Sequence, residues 1–373
     1  MIPGPTPIPK NILLEFGKES GSFKSSSFVQ CFKDVLTDLK EIWSAKEVFV
    51  IAGSGTLAME MGVANTLIDN HKVLLISHGY FGDRFIDILE RRHIHVDVLS
   101  SEWGECVGLD RIKEKLTAQH YDGVIVTHVD TSTGVKANVK EIGKMVSRLP
   151  NTLFLVDGVC STAAHDEGLI DNHIDVLITA SQKAFGIPPG LALTFFSDKA
   201  IKRRTTLKTI QDSYIDILKW QPIMHDPSLY YGTPPINHIR ALKVALSMIK
   251  EEGYDMRVNR HIRDAKAIQT VLEKMGFGIL ANPSCRAATL TNALYPNGID
   301  DVYFRDLCRQ KGLLVAGGLG SYKNRLFRLG HMGHINVEII SKTLDIIQDV
   351  LRYYGVDHLI DLASKLYKEE IGL

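Results

Sequence analysis

The chain has 373 residues, and 43 lysines plus arginines balance 43 aspartates plus glutamates, so one large unit plus a smaller one is expected, with small-molecule partners rather than nucleic acid. The opening MIPGPTPIPK lacks the basic-then-apolar order of a secretory signal, and no apolar run reaches the ~20 residues of a membrane span. Five scattered cysteines without a C-x-x-C pair read as reduced thiols, which places the expectation in the cytoplasm and away from the membrane.

Along the first 200 residues, short apolar runs alternate with helical patterns. EVFVIAG (47–53), KVLLIS (72–77), HVDVLS (95–100), GVIVTH (123–128), TLFLVD (152–157), DVLITAS (175–181) and LALTFFS (191–197) predict seven strands. Between them lie segments such as FGDRFIDILERR, where Phe81, Phe85, Ile88 and Leu89 share one helical face. Runs that are apolar at nearly every position suit strands buried on both faces, so the alternation implies an α/β fold with a mostly parallel sheet. The last two runs are too close for a crossover helix, which makes LALTFFS an antiparallel candidate. From about 198 the pattern loosens: DSYIDILKWQPIMHDPSLYYGTPPIN shows no clear period and reads as an ordered excursion. A long helical pattern over 238–276 follows, then short strands within 287–331 and two helical stretches (301–312 and 335–353). The expected division is an N-terminal segment (1–14), a large domain (15–250) and a small α+β domain (251–373).

In an open parallel sheet, ligands sit at the carboxyl ends of the strands, and the polar residues of this chain collect there. GSGT (53–56) opens a helix. Its exposed amides and dipole suit an anion, although a plain N-cap by Ser54 or Thr56 accounts for the same residues. It is neither a Walker A loop nor G-x-G-x-x-G. Asp157 ends the fifth strand and either caps a turn or faces a ligand. Lys183 follows the sixth strand in the uncharged setting ITASQKAFGIPPG, a place suited to a lowered pKa and imine chemistry rather than to a surface lysine. A phosphate cradle, an acid and an isolated lysine are together what pyridoxal phosphate requires.

At these residues the sequence resembles the class V aminotransferases of fold type I, in particular the alanine–glyoxylate and serine–pyruvate (serine–glyoxylate) branch. The matching stretches are PGPTPIP (3–9), GSGTLAME (53–60), HGYFGDR (78–84), THVDTSTGV (127–135), VDGVCS (156–161), SQKAFGIPPGLA (181–192), YYGTPPIN (230–237) and FRLGHMG (327–333). They span nearly the whole chain in family order. The resemblance implies pyridoxal 5′-phosphate as cofactor, with Lys183 as Schiff-base lysine and proton carrier and Asp157 on the pyridinium nitrogen. It implies Phe81 over the ring, Thr131, Val159 and Gln182 at the cofactor's periphery, and Ser54, Gly55 and Thr56 on its phosphate. Tyr230 and Thr233 would reach the phosphate bound by a second copy, in a homodimer with shared sites. Arg328 would clamp the substrate carboxylate, unless it serves a structural ion pair, and the segment at Phe16–Gly17 would line the substrate pocket. VDGVCS departs from the family's usual VDAVSS, and Cys160 reads as a packing residue. His331 and His334 lack the companions a metal needs. The implied reaction moves an amino group from a small amino acid to a 2-oxo acid such as glyoxylate or pyruvate. Aminoethylphosphonate and ureidoglycine aminotransferases share the scaffold. A desulfurase would carry His where Gln182 stands, and a nicotinamide dehydrogenase would need the missing glycine fingerprint.

Overall fold

The computed structural model describes residues 1–356 and 361–373. The seven strands of its large sheet are β1 (Glu47–Ala52), β2 (Lys72–Ser77), β3 (His95–Ser100), β4 (Gly123–Thr127), β7 (Leu153–Asp157), β8 (Val176–Ala180) and β9 (Leu191–Phe196). A two-residue hairpin, β5 (Val129–Asp130) with β6 (Val135–Lys136), follows β4 directly. The large sheet has the order β1-β9-β8-β7-β4-β2-β3. Strands β8, β7, β4, β2 and β3 are parallel, and β9 runs antiparallel to both β8 and β1, as the short link between the sixth and seventh runs requires. Every residue of β4, β7, β8 and β9 is buried, whereas β3 at the edge buries only Leu99 and exposes His95, Val98 and Ser100. Helices on both faces account for the difference.

The helix Ser26–Trp43 adds to the expected elements. Phe28, Phe32, Val35, Leu36, Leu39 and Trp43 recur on one face and are buried, and Ser25 Oγ accepts from the Phe28 amide at its start. The excursion after 198 also contains a helix, Ile217–His225, capped by Asp216, with Pro222 inside it. The long pattern over 238–276 is two helices, Ile236–Glu252 and Tyr254–Lys274, because Gly253 adopts φ 81° between them. A second, antiparallel sheet has the order β10-β11-β13-β12, built from β10 (Gly278–Ile279), β11 (Leu290–Leu294), β12 (Ala316–Gly317) and β13 (Leu326–Gly330). Helices Asp301–Gln310 and Val337–Tyr353 fall where the sequence places them, and a further helix spans Ala363–Glu370. No helix among the described residues is long and apolar enough to cross a membrane.

Two apolar clusters form. One fills the large sheet's layers, from Ile12 to Ile249 with Ala287, Leu290 and Met332; the other joins the helix from 254 onward to the small sheet. Between them lies a fully buried arginine. Arg257 donates from Nε to the Ala163 carbonyl (2.8 Å), from Nη2 to the Ala184 carbonyl (2.8 Å) and from Nη1 to Glu252 Oε2 (2.7 Å). Ala163 belongs to the turn that follows β7 and Ala184 to the loop that follows β8, so one guanidinium ties both loops to the helix. Replacing Arg257 by Met strands two buried carbonyls. Unfolding in urea should show a loss of about 3–5 kcal/mol, the usual result of breaking a buried charged network.

Candidate active site

Strand β7 lies between β4 and β8, and Asp157, its last residue, is paired in register with Thr127 and Ile178. The side chain is 3% exposed. Its Oδ1 accepts from the Val159 amide (3.0 Å) and its Oδ2 from Thr127 Oγ1 (3.2 Å). Burial pushes its pKa up to about 6, with these two bonds pulling the other way. No cation among the described residues pairs with it.

Lys183 stands three residues beyond β8, in a loop fixed by Ser181, whose Oγ donates to the Pro188 carbonyl (2.8 Å) and accepts from the Leu191 amide (3.1 Å). Removal from water lowers the Lys183 pKa; Cys160 and Asp157 raise it and Arg328 lowers it further. The N-terminal segment crosses directly over this side chain. Lys183 Nζ donates to the Pro3 carbonyl at 2.5 Å, while Thr6 donates from its amide to the Gln182 carbonyl and from Oγ1 to the Lys183 carbonyl. A Cβ on Gly4 (φ 130°) would meet the lysine's Cδ, Cε and Nζ at 2.6–2.8 Å, so a larger residue there would strain the backbone and push the lysine from its place. Next to it, the Gly330 amide donates to the Met1 carbonyl, which sets the segment along β13 two residues from Arg328.

The remaining wall comes from two helix starts. Ser54 is the N-cap of the helix Gly55–Ala64, its Oγ accepting from the Leu57 amide at 3.4 Å; the capping role and an anion-facing first turn coexist. The helix Tyr80–Glu90 is begun by Asp130, whose Oδ2 accepts from the amides of Phe81 (2.9 Å) and Gly82 (3.0 Å) while Oδ1 accepts from Ser132. This buried acid, absent from the sequence-level assignments, positions Phe81. It was legible only as the Asp of VDTST, a stretch read for Thr131.

A cavity of about 180 Å³ gathers Ser54, Gly55, Thr56, Phe81, Thr131, Asp157, Val159, Gln182 and Lys183, nine of the sequence-expected residues. Met59, Arg84, Val129 and Cys160 join them without having been expected. Cys160 is buried, its pKa pushed up to about 11 by desolvation, with Sγ 3.8 Å from Thr289 Oγ1. Arg328, on β13, approaches from the small sheet: Nε donates to the Gly317 carbonyl (2.8 Å) and Nη1 lies 3.5 Å from the Thr131 carbonyl. Its register partner Asn292 donates to the Ser132 carbonyl, leaving a buried Oδ1 without a partner. No carboxylate among the described residues pairs with Arg328. Tyr230, Thr233 and Gly17 are not in the cavity wall. Tyr230 is 60% exposed, with its hydroxyl 3.5 Å from Thr233 Oγ1. Gly17 ends the helix Lys10–Phe16, held where Asn237 donates to the carbonyls of Phe16 and Lys18. His331 faces Thr291 and His334 the Phe185 carbonyl.

The donor set fits pyridoxal phosphate. Asp157 is a buried acid without a counter-cation, and a protonated pyridine nitrogen supplies one. Gln182 Oε1, on the cavity wall, is buried without a hydrogen-bond partner. A half-buried amine with lowered pKa completes the set. The protein is a pyridoxal-phosphate-dependent aminotransferase. It belongs to the family described as aminotransferase class-V, whose profile matches residues 22–336. The chain is 35% identical over 365 residues to an uncharacterized aminotransferase of Methanocaldococcus jannaschii, covering 96% of this chain and 93% of that one. It is 32% identical over 379 residues to alanine–glyoxylate aminotransferase 1 of Saccharomyces cerevisiae, covering 94% and 97%. The crystal structure of ureidoglycine–glyoxylate aminotransferase from Bacillus subtilis superposes with a TM-score of 0.95 at 23% identity, covering 100% and 97%, which establishes the shared fold.

The raised Asp157 pKa has a thermodynamic sign. The folded, cofactor-free chain binds this proton more tightly than the unfolded chain, whose carboxyl titrates near 3.8. Stability therefore falls as pH rises from about 4 to about 6, by about 3 kcal/mol in all. Asp157→Asn should make the cofactor-free protein more stable than wild type at pH 8 by about 1–3 kcal/mol, with no advantage at pH 4, while weakening cofactor retention. Thermal melts at both pH values, with and without cofactor, read both effects.

Proposed function

We propose that the chain transfers the amino group of a small amino acid, alanine or serine, to a 2-oxo acid such as glyoxylate or pyruvate. The observation that carries this reading is the convergence on one small cavity of Lys183 and Asp157, with an arginine, Arg328, at its edge that forms no ion pair with a carboxylate among the described residues. The likeness to the yeast alanine–glyoxylate enzyme supports the choice of donor and acceptor.

Bound pyridoxal phosphate supplies an aldehyde that condenses with amines and a ring that withdraws electrons from the amino acid Cα. The chain's own residues do the rest. Lys183, whose ammonium form burial disfavours, serves as the Schiff-base residue, and takes and returns the Cα proton. Asp157 holds the proton on the ring nitrogen. Phe81 gives the ring an apolar face, Thr131, Val159 and Gln182 meet its polar edge, and Ser54, Gly55 and Thr56 receive its phosphate at the helix start. Arg328 receives the α-carboxylate common to amino acid and oxo acid, and the segment at Gly17 shapes the donor pocket.

The same reading makes the active form a homodimer in the cytoplasm, built from a large unit (15–250) and a small unit (251–373). Tyr230 and Thr233 lie outside their own cavity, and Leu13, Leu14, Leu218, Leu229 and Tyr230 are all more than a third exposed, an apolar surface that a second copy would cover. The two apolar clusters support the division, and five unpaired thiols fit a reducing compartment.

A panel of donors (alanine, serine, aspartate, aminoethylphosphonate and ureidoglycine) against glyoxylate, pyruvate and 2-oxoglutarate tests the substrate class. Alanine or serine with glyoxylate or pyruvate should turn over fastest, and Lys183→Ala should abolish turnover. Arg328→Lys keeps the charge but loses the planar fork, so kcat/KM should fall by roughly tenfold to a thousandfold, at 1.4 kcal/mol per decade. The best donor being aminoethylphosphonate would refute the assignment. The dimer is tested by mixing two inactive proteins, Lys183→Ala and a Tyr230→Phe/Thr233→Ala double variant. Hybrid dimers contain one site without a lesion, and part of the activity should return; none would return from chains that work alone.

A further inference from the structure

Arg84 stands half-buried on the same cavity wall as Ser54, Gly55 and Thr56, yet none of the roles above uses it. Its Nη1 donates to Thr56 Oγ1 at 3.0 Å. Its Cζ lies 5.1 Å from the centre of the Phe81 ring and 5.7 Å from that of Tyr80. The adjacent acid, Asp83, is engaged by Ser77 Oγ at 2.6 Å, and among the described residues Arg84 has no ion-pair partner. A guanidinium carries five N–H donors in a planar fork, and one hydroxyl employs only one of them. Thr56 accepts from Arg84, so its own hydroxyl proton remains free to donate. Ser54 covers only the Leu57 amide, and the amides of Gly55 and Thr56 have no intrahelical acceptor. The result is a cluster of donors around one corner of the cavity: two amides, a hydroxyl and an uncompensated cation. Only an anion with several acceptor oxygens satisfies all of them.

We propose that Arg84 supplies the positive charge of the cofactor's phosphate subsite, meeting the dianion alongside Thr56 and the first turn of the helix Gly55–Ala64. The inference rests on the assignment of this cavity to pyridoxal phosphate. Its two aromatic neighbours hold the guanidinium plane on the cavity side, and the Asp130 bonds to the Phe81 and Gly82 amides fix the helix turn from which Arg84 projects. Hydrogen bonding to Thr56 then sets the distance between the cation and the helix start.

The test compares pyridoxal phosphate with pyridoxal, which lacks the phosphate, in visible-absorption titrations of the full-length chain after dialysis against a carbonyl reagent. In Arg84→Gln the affinity for pyridoxal phosphate should fall about ten- to a hundredfold while that for pyridoxal changes by less than about threefold. Inorganic phosphate should compete with pyridoxal phosphate in wild type, and about tenfold more weakly in the variant. Arg84→Lys, which keeps the charge, should recover most of the loss, and Arg84→Met provides the same comparison of the two ligands if the glutamine variant does not accumulate folded. Equal losses for both ligands would make Arg84 a packing residue and overturn the proposal, as would an unchanged affinity for pyridoxal phosphate. A wild-type chain that binds neither ligand would instead remove the cavity's assignment, and that failure is distinct because it precedes any comparison of variants.

Discussion

A carboxylate at the end of a strand buried on both faces is the constraint on which this site depends. Asp157 has two hydrogen bonds and no paired cation among the described residues, and burial, helped by the nearby Asp130 and Glu167 carboxylates, lifts its pKa to about 6. Strand β7 is the central strand of seven, and its last residue is almost wholly removed from water. The protein thus holds an acid in a place where its charge is costly unless a positively charged group arrives. Binding energy from that arrival relieves a strain already present in the folded chain, so in the proposed function the cofactor is both a reagent and a structural counter-ion.

Lys183 is held by the converse arrangement. Desolvation disfavours its ammonium form, and the nearest anionic groups are too few to restore it. Two adjacent parallel strands, β7 and β8, place the acid and the amine at one rim, because parallel strands present their carboxyl ends together. The loops beyond those ends are fixed from outside the sheet. Arg257 bonds to a carbonyl in each, and the fold thereby converts a contact between the two apolar clusters into a fixed spacing between Asp157 and Lys183.

Much of this was legible in the sequence, for identifiable reasons. The seven strands announce themselves as continuous apolar runs, and the antiparallel direction of β9 follows from a link too short for a helix. The nine cavity residues lie at strand ends or helix starts, where pattern and position coincide. The break at Gly253 was hidden because a helical period continues on both sides of it. The helix at 217–225 was hidden by its internal Pro222 and short length. Arg84 and Asp130 could not be read as part of the site for a different reason. Each is placed by a contact with a neighbour, Thr56 or the Phe81 amide, and that contact is set by packing between residues 28 and 49 positions apart. Tyr230, Thr233 and Gly17 illustrate the opposite limit: their place in the sequence is clear, and a single chain leaves them outside the cavity.

The segment crossing the lysine also bears on how the molecule is made. Lys183 meets the carbonyl of a residue 180 positions earlier, and that residue is seated against the last strand of the small sheet, at Gly330. Residues 1–6 precede β13 in synthesis, so they cannot settle against it until that strand is made and in place. Until then Lys183 lacks the cover that the Pro3 carbonyl gives it. The wall over the lysine is thus completed late through topology: a segment made before the large sheet is seated by a strand made after it.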